Sequence, residues 1–443
     1  MRLQNLSLAL GLGLGLGLGL VTTGCAEPTT SIPAPADTSF DTAKSTLTRD
    51  TSPNATPGEI TLLAEGNADF AMRLYGQTAA TASGNAFFSP LSVTAALSMT
   101  YAGAEGQTAT EMANALSFKL PADRLHVAMN ALDLALASRS ADAPAKHDGK
   151  PFALRSVNTT FGQKGFPFET PFLDTLAKNY GAGVQLADFK GQSEVERGKI
   201  NSWVEKETEQ KIKALLAPGS LSSVTRLVLV NAVYFNADWA SPFNKDFTRD
   251  APFTKLDGTK SDVPTMNQEM NVKYISAEGM QAIELPYEGR KVSMVVVLPR
   301  GDFKAFERAF DGKALLGTLA GLSQEKLVRV TLPKFELTGS SISLRKPLEA
   351  LGMSAPFSKD ADFSKMVSPS ADKVHISDVI HNAFVRVDEK GTEAAAATAV
   401  VVAGSSSLPP KPELFNADRP FMIFIRDIPT NTVVFAGRIV APK

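Results

Sequence analysis

The chain has 443 residues, of which 44% are hydrophobic, and a formal net charge of −1 at pH 7. This is the composition of a globular protein, and the length allows one large domain or about two to three average ones. Basic residues are scattered and do not alternate with aromatic ones, which argues against a nucleic-acid partner.

Cysteine and histidine are too few, and too far apart, for a disulfide framework or a zinc centre. The single cysteine, Cys25, excludes a disulfide bond within the chain. Four histidines are present, but none has the spacing of a helical zinc motif. We therefore expect no metal and no cofactor.

The first 25 residues have the pattern of an export signal. Met1–Arg2 is a short charged start, residues 3–21 are mostly apolar, and a small residue, Gly24, precedes Cys25. A transmembrane anchor is the alternative reading, but the alternation of Gly and Leu lowers hydrophobicity and helix propensity. We expect residues 1–24 to be a cleaved signal peptide.

Gly24-Cys25 resembles the lipobox of bacterial lipoproteins, although Thr22 departs from the usual Leu. The resemblance implies that Cys25 is lipidated, and that the protein is exported and anchored by lipid to a bacterial membrane. No Asp follows the cysteine, which by the same resemblance favours the outer membrane. Several acyl chains would give firm anchoring, because each buried methylene contributes about 0.8 kcal/mol.

The following residues, 26–57, are rich in Thr, Ser, Pro, Ala and Asp and lack apolar periodicity. We expect residues 25–57 to form a lipidated, disordered tether. From residue 58 onward the pattern changes and no long linker interrupts it. Residues 58–443 are therefore expected to form one α+β domain.

Helix and strand patterns alternate along this domain. Helical spacing predicts helices over 60–76, 92–102 and 194–216, with Ser89-Pro90 suited to begin the second. Near-continuous apolar runs predict buried strands. These runs are 227–235, 292–298, 327–333, 335–337, 421–425 and 433–440, and the last two read as a hairpin.

Enzyme motifs are weak. The chain has no Gly-x-Ser-x-Gly, His-Glu-x-x-His or phosphate-loop pattern. Ser-x-x-Lys occurs at 323–326 and 343–346 without its partner motifs, so both matches are attributed to chance. His381 could be a general base, but a buried, hydrogen-bonded structural role is favoured. A hydrolase is therefore improbable.

Residues 387–405 combine helix-favouring and strand-favouring halves, and between 391 and 403 nothing is bulkier than Val except Glu393. A surface helix followed by an edge strand is one interpretation. The other is an exposed loop that can also enter a sheet. Alternate positions from Thr392 to Val402 carry no charge, so that face could be buried while Glu393 stays in solvent.

The segment 389–398, Glu-Lys-Gly-Thr-Glu-Ala-Ala-Ala-Ala-Thr, resembles the hinge of inhibitory serpins. The resemblance extends over most of 58–443. Further matching motifs are Asn85–Val93, Asn201–Val204, Asn231–Phe235, Phe415–Ile425 and Phe435–Ile439.

This resemblance implies a fold of three β-sheets and about nine helices with an exposed reactive-centre loop over about 389–415. It implies a polar shutter cluster of Ser89, Ser92, Asn231 and His381, and a breach near Trp239. The hinge residues so implied are Glu389, Gly391, Thr392, Glu393, Ala394, Ala395, Ala396, Ala397 and Thr398. Counting along the usual loop length places the reactive bond at Ser405–Ser406.

The function implied by the resemblance is irreversible inhibition of serine proteases by a monomeric suicide substrate that does not itself catalyse a reaction. Small residues around the reactive bond favour elastase-like or subtilisin-like targets, and a cysteine protease stays open as a target. A non-inhibitory serpin acting as a binding or chaperone-like module is the alternative. Such members usually carry bulky, charged or Pro residues in the hinge.

Overall fold

The structure is a computed structural model that describes residues 38–142, 153–338, 341–368, 373–392 and 411–442. Residues Asp37–Lys443 constitute one compact unit. The helices within the described residues are α1 Pro57–Thr81, α2 Pro90–Tyr101, α3 Gly106–Ala115, α4 Ala122–Asp142, α5 Thr170–Tyr180, α6 Phe189–Glu207, α7 Phe303–Ala309, α8 Gly312–Gly321 and α9 Arg345–Ala350. Short 3₁₀ turns lie at Lys245–Phe247 and Ala355–Phe357.

Helix starts follow local capping chemistry. Thr56 and Glu59 form a reciprocal capping box at the start of α1, with Pro57 in the first turn. Ser89 caps α2 by accepting a hydrogen bond from the Ser92 backbone N–H, ahead of Pro90. The sequence prediction for the start of α2 is therefore confirmed.

Seventeen strands lie within the described residues. They are β1 Asp41–Ala43, β2 Ala86–Phe88, β3 Ala153–Gln163, β4 Val184–Ala187, β5 Leu227–Asp238, β6 Arg249–Thr254, β7 Lys260–Ala277, β8 Met280–Pro286, β9 Val292–Pro299, β10 Glu325–Pro333, β11 Phe335–Thr338, β12 Ile342–Ser343, β13 Ile376–Val387, β14 Gly391–Thr392, β15 Glu413–Asn416, β16 Phe421–Asp427 and β17 Thr432–Ile439. Each apolar run predicted as a strand lies in one of these strands, except that Val440 follows the end of β17.

The described strands form two hydrogen-bonded sheets. The first has the order β1-β4-β3-β5-β13-β11, with β12 paired to β13 and β14 paired to β5. The second has the order β15-β10-β7-β8-β9-β16-β17-β2, with β6 paired to β7. The 18-residue strand β7 pairs with β6, β8 and β10 and so connects the strands of the second sheet. The α+β class is confirmed, with nine α-helices in the described part.

The predicted helix over 194–216 needs correction, because α6 starts earlier and ends at Glu207. Glu209 and Gln210 have φ angles of +51° and +63°, a left-handed conformation that ends a right-handed helix. The apolar side chains that follow belong to a non-helical linker. Ile212 and Leu215 are buried beside β5 in one apolar cluster.

The expected tether also needs correction over residues 38–56, which pack against the domain. Strand β1 adds an edge to the first sheet by pairing antiparallel with β4. The Arg49 Nε donates to Asn130 Oδ1 at 2.8 Å, and the Asp50 N–H donates to the Lys178 carbonyl at 2.9 Å. Backbone pairing and polar side chains order this segment without an apolar pattern.

Strand β5 lies at the centre of the first sheet, and its first eleven residues are buried. Val233, Phe235 and Ala237 belong to a core cluster that includes residues of the second sheet. Val228 and Val230 belong to the cluster beneath α6. Successive side chains of a strand point to opposite faces, so both faces of β5 are covered by protein.

Candidate functional site: the seam between β5 and β13

The seam between β5 and β13 is the parallel interface at the centre of the first sheet. Eight residue pairs join Leu227–Tyr234 to residues 376–384, with a register shift between Ile376 and Asp378. Beyond Tyr234, β13 no longer pairs with β5. The upper end of the seam is thus open to another strand.

Strand β14 occupies that upper end. Gly391 and Thr392 pair antiparallel with Asp238 and Ala237 of β5. A Cβ on Gly391 would lie 2.2 Å from the Ala237 carbonyl oxygen, and the residue has a φ of +150°. The position therefore requires glycine, because any side chain would collide with the β5 backbone.

Trp239 closes the top of the seam. Its indole Nε1 donates to the Asp388 carbonyl at 2.9 Å, and its backbone N–H donates to the Lys390 carbonyl at 2.7 Å. The ring stacks on Tyr287 with a centroid separation of 4.5 Å. These contacts fix the turn from which the chain enters β14.

Glu389, in the same turn, forms a buried ion pair. Its carboxylate accepts hydrogen bonds from Lys334 Nζ at 3.0 Å and Thr248 Oγ1 at 2.9 Å. Burial opposes ionisation, but the hydrogen bonds from Lys334 and Thr248 outweigh it and hold the pKa of Glu389 below its ordinary value. The carboxylate therefore stays charged at neutral pH.

Lys390 is the unusual member of this turn. The residue is 5% exposed, and its Nζ has no hydrogen-bond partner among the described residues. These residues include the turn from Asp388 to Thr392. Burying an ammonium group without a partner is unfavourable. The turn therefore contains two satisfied carboxylates, of Asp388 and Glu389, beside one unsatisfied ammonium.

The polar cluster lies further down the same seam, where the structure brings Ser89, Ser92, Asn231 and His381 together. The Ser89 N–H donates to His381 Nε2 at 3.1 Å, and the His381 Nδ1 contacts Asn231 Oδ1. Asn231 Nδ2 donates to Ser92 Oγ at 2.5 Å. Asn158 on β3 completes the cluster, accepting from Ser92 at 2.7 Å and from Asn231.

His381 is neutral in this setting. It is fully buried, and burial lowers its pKa to about 3. An accepting Nε2 and a donating Nδ1 match one neutral tautomer. The histidine thus joins α2 to both central strands as an uncharged hydrogen-bonding group.

Several predicted site residues lie outside the described residues. These are Cys25, Glu393, Ala394, Ala395, Ala396, Ala397, Thr398, Ser405 and Ser406. Of the predicted hinge, the described part contains Glu389, Gly391 and the backbone of Thr392.

Sequence reasoning missed three contributors to this site. Asn158 lies in a polar stretch of β3 with no motif to mark it. Lys334 is an isolated lysine between two strands, and its pairing with Glu389 depends on the fold. Tyr287 follows β8 and meets Trp239 only through tertiary packing. Pairing across distant segments has no signal in a single sequence.

Neither a membrane-spanning helix nor a metal site occurs among the described residues. They contain no helix long and apolar enough to cross a membrane. They also contain no group of three or more His, Cys, Asp or Glu side chains arranged to hold a metal ion.

A central sheet whose β5–β13 seam has a short strand, β14, at its upper end is a feature that defines a class of proteins. Similarity to known proteins identifies that class. Residues 65–442 match the family Serpin (serine protease inhibitor). Mouse antithrombin-III is 36% identical over 403 residues, covering 88% of this chain and 84% of that protein. Bovine leukocyte elastase inhibitor is 37% identical over 390 residues, covering 86% of this chain and 99% of that protein.

Solved structures agree with these relatives. Maspin has a TM-score of 0.77 at 25% identity, covering 87% of this chain and 100% of the maspin chain. Native tengpin, a thermophilic serpin, has a TM-score of 0.76 at 27% identity, covering 90% of this chain and 97% of its own. The chain belongs to the serpin family, whose members include protease inhibitors.

Proposed function

We propose that this protein inhibits serine proteases irreversibly, by inserting its cleaved reactive loop between β5 and β13. The observation that carries the proposal is β14. Its two residues already pair antiparallel with the top of β5, at the entrance to the seam. An added strand gains main-chain hydrogen bonds on both sides, which is the β-augmentation that the general principles describe for serpins.

If the register of β14 continues into the inserted loop, it predicts the partner of each later loop residue on β5. Gly391 faces Asp238 and Thr392 faces Ala237, so each further loop residue faces the preceding residue of β5. Thr398 would then face Asn231, and Val402 would face Leu227, the first residue of β5. The strand so formed would match the whole length of β5.

The same register determines which side chains would be buried in the main core. Residues directly opposite on neighbouring strands point to the same face. Thr392, Ala394 and Ala396 would therefore share the face of Ala237, Phe235 and Val233, which lie in the core shared with the second sheet. These loop side chains are small and uncharged, so they could enter without leaving an unpaired charge.

The chemistry is that of an interrupted hydrolysis. The protease serine oxygen attacks the carbonyl carbon of Ser405, the amide bond to Ser406 breaks, and the proton goes to the new amine of Ser406. The acyl ester between Ser405 and the protease then persists while the loop inserts. A strand of ~14 residues at ~3.3 Å each spans roughly 45 Å, which would carry the protease the length of the sheet.

The small side chains around the reactive bond support an elastase-like or subtilisin-like target. A narrow or shallow primary pocket accepts Ser or Ala, whereas a trypsin-like pocket needs a cation. The bovine leukocyte elastase inhibitor among the relatives is consistent with this choice. A cysteine protease would form the corresponding thioester.

The test is to mix the purified chain, residues 38–443, with an elastase and with a subtilisin and to analyse the products on denaturing gels. A band at the summed mass that resists boiling supports inhibition. Mass spectrometry should show that the released fragment begins at Ser406. Clean cleavage without that band would contradict inhibition and favour the binding-module alternative.

We also propose that the protein is exported and anchored by lipid at Cys25. The support is the sequence pattern around Gly24-Cys25. Wild-type protein expressed in a bacterium with a lipoprotein pathway should incorporate labelled palmitate, and Cys25→Ser should not. Equal labelling of both chains would contradict the proposal.

A further inference from the structure

A cleft of about 650 Å³ lies at the surface beside helix α7. Its walls come from the end of α1 and the loop after that helix, from α7, from the turn between β6 and β7, and from the end of β17. None of the described residues that line it belongs to β5 or β13, so the cleft is separate from the seam. Its volume lies within the range of about 300–1,000 Å³ that small-molecule sites have.

The inner part of the cleft is apolar. Ala79 and Ala82 contribute at the end of α1, Leu256 from the β6–β7 turn, and Val440 from the residue after β17. Val440 is buried and the other three are half-buried. Because these side chains are small or of medium size, an apolar group can lie against them and be removed from water.

Both acidic side chains of the described lining are held by other residues. Glu307 accepts hydrogen bonds from the Tyr75 hydroxyl at 2.5 Å and from Arg438 Nη1 at 2.9 Å. Asp257 accepts them from the Thr259 backbone N–H at 2.9 Å and from Thr259 Oγ1 at 2.7 Å. A cationic ligand would therefore compete with hydrogen bonds that the fold already makes.

Arg438, one of the cations of the lining, belongs to the wall itself. Its side chain is 3% exposed. Besides the pairing with Glu307, its Nη2 donates to the Ala82 carbonyl at 2.6 Å and its Nε donates to the Gly84 carbonyl at 3.1 Å. The guanidinium group thus fixes the loop after α1, and its charge is compensated by Glu307.

Three other cationic side chains of the lining have no such partner. Lys304 and Arg308 are exposed and lie four residues apart on one face of α7, and Lys255 lies at the β6–β7 turn. Among the residues that the structure describes, none of the three side chains forms a hydrogen bond or an ion pair. Hydrogen bonds from Thr259 and the nearby charge of Lys255 lower the pKa of Asp257, which leaves two cations at α7 uncompensated.

The charge of the cleft favours an anion. Four cationic and two acidic side chains are present in its described lining, a net charge of +2 on a chain whose formal net charge is −1. A phosphate monoester carries about two negative charges at neutral pH and has three strong acceptor oxygens. Arg and Lys are the side chains that bind such a group, through charge-assisted hydrogen bonds.

We propose that this cleft binds an organic phosphate monoester, with its phosphate between α7 and the β6–β7 turn and its apolar group against the inner part. A soluble ester and the headgroup of a phosphatidic acid both present this chemistry. The site shares no residue with the seam, and so it does not depend on the proposed inhibitory function.

Binding is tested by calorimetric titration of the intact chain with four probes: 2-phenylethyl phosphate, 2-phenylethanol, 2-phenylethylamine and inorganic phosphate. The ester should bind saturably, and the alcohol and the amine at least about tenfold more weakly, because neither offers a negative charge to the cations. Inorganic phosphate should bind at least about threefold more weakly than the ester, because it buries no apolar group. Equal affinity for the ester and the alcohol would overturn the proposal.

Variants of exposed residues locate the site. Lys304→Gln and Arg308→Gln should each weaken binding of the ester by about threefold or more. Lys313→Gln, at an exposed position of α8 outside the cleft, removes the same charge and should leave the affinity unchanged. Equal weakening in all three variants would mean that the ester responds to the charge of the whole chain, and would overturn the site.

The inner part of the cleft is tested by Ala79→Leu, which enlarges a side chain against which the apolar group would lie. It should weaken binding of the ester and leave binding of inorganic phosphate unchanged. Equal weakening of both would contradict the placement of the apolar group. If this variant does not fold, the comparison of the ester with inorganic phosphate on the wild-type chain still decides.

Flotation with vesicles separates the two sources of the ester. The Cys25→Ser chain, which cannot be acylated at that position, is mixed with phosphatidylcholine vesicles with or without about one-fifth phosphatidic acid. Flotation that needs phosphatidic acid and is lost in Lys304→Gln would identify a lipid headgroup as the ligand. Binding of the soluble ester without flotation would identify a free ester. Failure of both the titration and the flotation would overturn the proposal.

Discussion

The two interfaces of β5 differ in ways that indicate where the first sheet can open. On one side, β3 joins β5 through ten antiparallel residue pairs with no register shift. On the other side, β13 joins it through eight parallel pairs, with a shift near Ile376. Parallel pairing is slightly less stable per residue. The weaker interface is the one whose upper end β14 already enters.

The polar groups on the two interfaces also differ. Asn231 bonds Asn158 across the β3–β5 interface and contacts His381 across the β5–β13 seam. Insertion would break the second contact and keep the first. On the proposed mechanism the seam would therefore have interactions that exist in only one of two forms, and mutations there should act on the difference in stability between the forms.

The largest effect is expected from Thr392→Arg. The register of β14 puts this residue opposite buried Ala237, so insertion would drive a guanidinium group into the core. An unpaired buried charge costs about 3–5 kcal/mol, which corresponds to a loss of about a hundredfold or more in insertion rate. Gel analysis should show cleaved chain in place of covalent complex.

Glu393→Arg is the matched control for that prediction. The neighbouring residue would face the other side of the sheet, where it already has a charge. Complex formation should be largely retained. Equal loss in both variants would mean that the register of β14 does not continue into the loop.

Acid should weaken the seam through His381. Burial lowers the pKa of His381 to about 3 and that of His126 to about 4, from an ordinary value of 6.5. The unfolded chain therefore binds more protons than the folded one below pH 6.5. The free energy of unfolding should fall as the pH decreases from about 6.5 toward 4, by about 1.4 kcal/mol per pH unit for each histidine.

The measurement is denaturant unfolding of intact protein at several pH values. His381→Gln and His126→Gln should each remove about half of this histidine contribution to the slope. Acid should also speed insertion in His126→Gln as in the wild type, because His126 belongs to α4 and its Nδ1 contacts the Tyr180 hydroxyl, away from the seam. An unchanged slope in His381→Gln would contradict the assignment of a neutral buried histidine.

Next in size is the contrast between His381→Ala and Asn158→Ala. His381→Ala removes one contact, to Asn231, that would exist only before insertion, and one contact, to Ser89, that would persist, so it should destabilise intact protein by about 1–3 kcal/mol and loop-cleaved protein by less. Asn158→Ala removes a contact that persists, so it should destabilise both forms. Guanidinium unfolding of intact and loop-cleaved protein measures both free energies of unfolding. Identical behaviour of the two variants would refute the proposal that the sheet opens between β5 and β13.

Much of this arrangement could be predicted from sequence. The run from Leu227 is apolar at nearly every position, so its burial as a central strand follows from composition alone. The capping residues of α2 have equally local signals. The family resemblance then placed Asn231 and His381 in one cluster, which local reasoning about a lone histidine does not reach.

The remaining features depend on contacts that a single sequence does not encode locally. Residues 38–56 have the polar composition of a tether, yet they are ordered by edge pairing with β4 and by Arg49. The end of α6 depends on backbone angles at Glu209 and Gln210, neither of which is a usual left-handed residue. The first error arises because apolar patterns do not report polar segments that hydrogen bonds order. The second arises because apolar side chains such as Ile212 and Leu215 are buried from a non-helical linker.

The smallest effect is expected at Lys390. Lys390 is 5% exposed and its ammonium has no partner among the described residues, so the described turn includes an uncompensated charge at the top of the seam. Lys390→Met keeps the apolar stem and removes the charge, which should raise the free energy of unfolding by about 1 kcal/mol. Guanidinium unfolding at pH 7 is the measurement.

Glu389→Gln is the opposite substitution in the same turn. It removes a charge that Lys334 and Thr248 satisfy, so it should lower the free energy of unfolding by about 1–3 kcal/mol. Stabilisation by Lys390→Met with destabilisation by Glu389→Gln would mean that the turn at the seam has one charge that holds it closed and one that strains it. A loss of stability in Lys390→Met would instead mean that the ammonium has a partner in solution, and the turn would then be as well satisfied as the β3–β5 interface.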